Sequence, residues 1–145
     1  MQKPRNPAFS EYKSKEWRGD ALIKFIVSDL YIKKFPDFQT YTHIPMIDRL
    51  ISNGLLIKEA KKLNLIPKFY KESLKELGKY HADKPFADAF EVHVYEIYEK
   101  EGLDATIHFI EETLFNDNNL EKVRRRLQKE KCEYVHVDGR AKLLK

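Results

Sequence analysis

Glu16-Trp17-Arg18-Gly19-Asp20-Ala21-Leu22-Ile23-Lys24-Phe25-Ile26-Val27-Ser28-Asp29-Leu30 is the stretch on which the reading of this chain turns. Trp17, Ala21, Leu22, Phe25, Ile26 and Leu30 recur at helical spacing, which predicts one helix from about Glu11 to Phe35, closed by Pro36-Asp37. Two acids break the pattern. Glu16 and Asp20 stand four apart on the stripe that continues through Ile23 and Val27, so both point with the packed side of the helix. A buried carboxylate without a partner is costly, so something cationic should meet them. Gly19 sits between them, and a glycine inside a helix costs about 1 kcal/mol and signals close approach of another backbone or of a substrate.

Working outward, the rest of the chain also reads as helices. Met1 to Ser10 is expected to be irregular, because Pro4 and Pro7 oppose a helix. A second helix is expected to begin with Pro45 and run to Ile51, and Ser52-Asn53-Gly54 reads as a break and new cap before a third from Leu55 to Leu63. Lys71 to Leu77 forms a short helix closed by Gly78, and a stronger one starts near Pro85 and runs to Tyr98. Gly102 separates it from a helix over Leu103 to Phe115. Leu120 to Lys131 is a charged helix, and Tyr134 to Val137 is a short strand or a docked tail. The expected fold class is all-α.

Composition narrows the function classes. The chain has 145 residues, 27 Lys+Arg against 23 Asp+Glu and a single cysteine, Cys132. A domain of this size buries enough surface to fold without disulfide or structural metal. One cysteine allows no intramolecular disulfide and no Cys-rich zinc pattern. The absence of a long apolar run and of a hydrophobic leader predicts an intracellular, cytoplasmic protein with no membrane partner. The net charge of +4 permits a polyanionic partner. The last 30 residues carry nine Lys/Arg against five acids, which accounts for all of that excess.

Asp88 and Glu91 repeat the anomaly on the helix after Pro85, three apart on one face beside the apolar Ala87, Phe90, Val94 and Ile97. If the two acidic helices are neighbours, four carboxylates make an oxygen-rich cage suited to a hard divalent cation such as Mg²⁺, and such a site serves phosphoryl chemistry. Spacing alone favours a plainer reading, in which the acids are partly exposed and paired with Lys15, Arg18, Lys24 or Lys84, because acid pairs at these separations are common on ordinary helices.

The residues themselves add a resemblance. Glu16-Trp17-Arg18-Gly19-Asp20-Ala21-Leu22, followed by Phe25 to Tyr31 and Lys34-Phe35-Pro36, resembles the signature helix of the ribonuclease III family. Ile51-Ser52-Asn53 with Leu56, Ala60, Leu63 and Leu65 is similar to the family's next landmark. Ala87-Asp88-Ala89-Phe90-Glu91, continuing to Ile97-Tyr98 and Gly102-Leu103-Asp104-Ala105, resembles its second catalytic helix. The match spans roughly Phe9 to Phe115. It implies a ribonuclease III-like helical endonuclease domain over residues 1–115, followed by a basic helix and tail over 116–145. Glu16, Asp20, Asp88 and Glu91 then occupy the family's four catalytic carboxylate positions and would bind Mg²⁺, or Mn²⁺. Asp20 and Glu91 are the expected direct ligands, and Lys84 matches a lysine that can contact the scissile phosphate. The implied activity is hydrolysis of double-stranded or structured RNA to 5′-phosphate and 3′-hydroxyl ends, by a homodimer or a heterodimer with a related subunit, with Trp17 entering the partner.

Several positions depart from the pattern. Lys13 stands in a segment where the family carries an acid, Arg18 replaces an apolar residue, and Tyr95-Glu96 replaces a small pair. No double-stranded-RNA-binding domain follows Phe115. Lys122, Arg124, Arg125, Arg126 and Lys129 are candidates to grip RNA in its place, although a basic helix is often only a solvated face. These departures also motivate a rival from another class, a catalytically silent module of the same fold that binds RNA or protein within a ribosomal or RNA-processing complex.

Overall fold

The computed structural model describes residues 6–77, 82–132, 134–137 and 140–143. Among them seven helices run in order, α1 Pro7–Lys34, α2 Thr40–Leu50, α3 Asn53–Lys62, α4 Tyr70–Leu77, α5 Lys84–Glu101, α6 Leu103–Thr113 and α7 Asp117–Cys132. The body is therefore all-α, as expected. A two-stranded antiparallel hairpin, β1 Tyr134–Val137 and β2 Arg140–Leu143, ends the described chain, pairing Tyr134 with Leu143 and Val137 with Arg140. No helix among the described residues is long and apolar enough to cross a membrane.

Several helices start earlier than the sequence reading places them, among them α7, at Asp117 and not Leu120, and above all α1 and α2. α1 begins at Pro7, not after Ser10, because Asn6 caps it by accepting the Ala8 N–H at 2.9 Å and Pro7 occupies the first helical position, where a missing N–H is harmless. α2 begins at Thr40 and takes Pro45 into its interior, so the proline does not mark the start. The Ser52 cap of α3 is as expected: its hydroxyl accepts the Leu55 N–H. Gly78 lies outside the described residues.

The core is built around α1 and α5. Ile23, Ile26, Val27 and Tyr31 of α1 meet Phe90 and Val94 of α5, Leu50 of α2, Leu56 and Ala60 of α3, and Ile110 of α6. Gly102 links α5 to α6 with a φ of +92°, a conformation that a side chain would strain. α7 is locked to the end of α6 by the buried Asn119 amide, which donates to the carbonyls of Thr113 and Leu114. Arg49 on α2 reaches Glu130 on α7 with bonds of 2.6 and 2.7 Å, closing the other side of the bundle.

Candidate functional site

Gly19 decides where α1 meets α5. A methyl group at that position would lie 1.7 Å from the Glu91 carbonyl oxygen, so the two backbones touch and only glycine permits it. Because side chains three and four apart share a helix face, this contact brings Glu16 and Asp20 up against Asp88 and Glu91. Core packing on both sides fixes the register, through Ile23 and Val27 on α1 and Ala87, Phe90 and Val94 on α5, all fully buried.

Glu16, Asp88 and Glu91 are buried, and each offers one oxygen so that the three lie within 4.8 Å of one another. Asp20 stands at the rim with its side chain 40% exposed, in hydrogen-bonding reach of Glu91. The acids open into a cleft of about 730 Å³ that is also lined by Lys13, Trp17, Lys24, Asn53 and Lys84. Three lysines answer the carboxylates. Lys84 ion-pairs with Asp88 and reaches Glu91 at 3.9 Å and Glu16 at 4.0 Å. Lys13 meets Glu16 at 2.7 Å, and Lys24 meets Asp20 at 3.0 Å.

The lysines do not cancel the burial of these charges. Burial pushes the Glu91 carboxyl up to about 9, and the hydrogen bond with Asp20 and the charges of Asp20 and Glu16 add to that against the pull of Lys84. Glu16 is also raised, first by burial, although Lys13 acts to lower it. Burial thus favours the neutral form of Glu91 well above the ordinary carboxylate range. Asp88 is 1% exposed, and its Oδ2 has no hydrogen-bond partner among the described residues. A buried oxygen without a donor, inside an all-oxygen set from facing helices, fits a hard divalent cation such as Mg²⁺ or Mn²⁺.

Glu16, Asp20, Glu91 and Lys84 thus share one cleft, and Asp88 lies buried behind it against Glu16, Glu91 and Lys84. Asn53 was overlooked as a cleft residue; its signal lay in the Ile51-Ser52-Asn53 break. Lys13, Arg18, Tyr95 and Glu96 each have a partner. Lys13 pairs with Glu16. The Arg18 guanidinium donates to the Tyr95 hydroxyl at 2.6 Å and lies 5.0 Å above its ring, and Lys15 meets Glu96 at 3.7 Å. Trp17 is 74% exposed at the edge of the cleft, with Phe25 67% exposed two turns along the same helix. His93 packs edge-on against Phe109, away from the acids, and burial lowers its pKa.

The basic candidates divide. Arg124 and Arg125 both bind Glu121, while Lys122 and Arg126 line a separate pocket with Lys58, and Lys129 is exposed. No family model, curated protein or solved structure matches the chain.

Proposed function

We propose that this chain is a ribonuclease III-type endoribonuclease that uses Mg²⁺ to cut double-stranded or structured RNA, leaving 5′-phosphate and 3′-hydroxyl ends. The observation that carries the reading is the convergence of Glu16, Asp20 and Glu91 on one open cleft through the Gly19 contact, with the buried Asp88 directly behind Glu16 and Glu91. These four residues would hold the metal, which when bound polarises a phosphate and makes water a better nucleophile at neutral pH. The chain's own groups do the rest. Asp20 stands at the exposed rim, Glu16 and Glu91 line the cleft below it, and the buried Asp88 anchors Lys84 behind them. Lys84, 20% exposed among the acids, is placed to meet a phosphate oxygen. The exposed Trp17 and Phe25 supply an apolar edge for a second copy or a related subunit, so that two clefts address the two strands of a duplex.

The test is incubation of the protein with a long RNA duplex and Mg²⁺. The reading expects 5′-phosphorylated fragments from the wild type and none from Glu91→Gln. Cleavage that is equal in both, or absent from both, would overturn it. One observation favours a second reading. Because Lys84 touches all three buried acids, the cluster can also stand as a closed ion network, as in a silent module that binds RNA or a protein partner. Calorimetry with Mn²⁺ separates the two: binding that disappears in Asp20→Asn supports the nuclease, and no binding supports the silent module.

A further inference from the structure

A second concave site lies between α2, α3 and α7. It has a volume of about 420 Å³ and is lined by Arg49, Ser52, Gly54, Lys58, Lys122 and Arg126 among others. Among the described residues no acidic side chain lines it. Most cations near it have partners elsewhere: Arg49 binds Glu130, Lys61 binds Asp83, Lys62 binds Glu59, and Arg124 and Arg125 share Glu121. Lys58, Lys122 and Arg126 differ, since among the described residues no carboxylate forms an ion pair with any of them. Lys58 and Lys122 both line the pocket, and the nearness of Lys58 lowers the Lys122 pKa against the opposing pull of the Glu59 charge. Two ammonium groups from different helices, α3 and α7, thus converge on a pocket whose lining among the described residues holds no carboxylate. Ser52 and Gly54, at the start of α3, also line the pocket, so the positive end of that helix adds to it.

We propose that this pocket binds a phosphate group, held by Lys58, Lys122 and Arg126 over the start of α3. Its volume exceeds that of a lone phosphate and falls in the range of sites that enclose a small ligand, so a phosphate still attached to a nucleotide fits. The pocket adjoins the acid cleft through one turn: Asn53 lines the cleft, and Ser52 and Gly54 line the pocket. A phosphorylated chain can therefore reach both at once. The phosphate can come from an RNA terminus or from the RNA backbone, and the two sources share this recognition chemistry. The proposal goes beyond the nuclease reading and stands without it, because it needs no cleavage.

The experiment has two arms, each on the full chain in the presence of EDTA. In the first, inorganic pyrophosphate is titrated while the backbone amides of Asn53, Gly54 and Leu55 are followed by NMR. Saturable shifts at these amides in the wild type, lost in Lys58→Gln/Lys122→Gln and kept in Arg125→Gln, are expected. In the second, short RNAs with 5′-phosphate and 5′-hydroxyl ends are compared by fluorescence anisotropy. The double variant is expected to bind at least tenfold more weakly. Loss confined to the 5′-phosphorylated RNA assigns the site to a terminus, and equal loss for both RNAs assigns it to the backbone. Shifts that do not saturate or spread over the whole basic surface, or RNA affinity unchanged in the double variant, would overturn the proposal. Glu91→Gln serves as the separating control: it removes cleavage and leaves phosphate binding intact.

Discussion

The acid cleft and the basic pocket share the Ser52-Asn53-Gly54 turn, but they treat charge in opposite ways. In the cleft, three carboxylates lie buried within 4.8 Å of one another, and lysines from the same protein sit against them. In the pocket, Lys58, Lys122 and Arg126 are exposed and meet no acid among the described residues. Burial makes the cleft sensitive to every proton and every neighbouring backbone, whereas solvent and salt soften whatever happens in the pocket. Damage to the cleft should therefore register in folding and chemistry together, and damage to the pocket in ligand affinity alone.

The sharpest way to break the contrast is at Gly19. Gly19→Ala pushes a methyl group into the Glu91 carbonyl, so α1 and α5 must separate where both also form the core. The expected loss is about 3 kcal/mol, the upper part of the range for overpacking. Urea denaturation measures it, and an unchanged midpoint would show that the helices do not depend on this contact.

Glu91→Gln should split function from stability. If the cleft holds a catalytic metal, cleavage falls by more than about 100-fold, since loss of groups that merely support metal ligands already costs 10- to 100-fold. Stability moves the other way. The folded-state pKa of Glu91 is raised from 4.5 to about 9, so folded and unfolded chains are both protonated at the acid end. As pH rises through this window the unfolded chain ionises first, and wild-type stability falls. Denaturation in EDTA at pH 5 and pH 8.5 should show that fall in the wild type and a smaller one in Glu91→Gln. Parallel curves would mean that Glu91 is ionised in the folded protein.

How much of this was legible in the sequence depends on whether a residue's role is set by its own helix. The acids on α1 and α5 could be found from spacing, because an acid on an apolar stripe is anomalous without knowledge of any partner. Gly19 could be flagged for the same reason, but its contact with Glu91 could not, since that depends on how two helices cross. The start of α1 is hard to read because Pro7 looks like a helix breaker, whereas Asn6 before it makes it a first helical residue. The basic run over 124–126 was the visible motif on α7, yet Arg124 and Arg125 are taken up by Glu121 on the same helix. The pocket instead draws Lys58 from far along the chain, and no local pattern joins Lys58 to Lys122.

On the flank of the cleft, Arg18 and Tyr95 bind one another and should be coupled energetically. Arg18→Ala, Tyr95→Phe and the double variant form a thermodynamic cycle with an expected interaction of about 1 kcal/mol, from one charge-assisted bond and a cation over a ring. A value near zero would leave the two changes unrelated.

The smallest effect should sharpen the comparison from the basic side. Glu130 holds Arg49 at the wall of the pocket through a half-exposed ion pair, and pairs of this kind contribute about 0 to 1 kcal/mol. Glu130→Gln should therefore barely change the denaturation midpoint. It releases Arg49 toward a pocket that already gathers Lys58, Lys122 and Arg126, so pyrophosphate should bind about two- to fivefold more tightly, and the salt dependence of RNA binding should steepen by about one phosphate contact. If affinity instead drops, the ion pair shapes the pocket, and Arg49 contributes as a wall rather than as a charge. In the cleft the corresponding change, removal of a partner from Glu16 by Lys13→Gln, has no such latitude, because the carboxylate it leaves behind is buried.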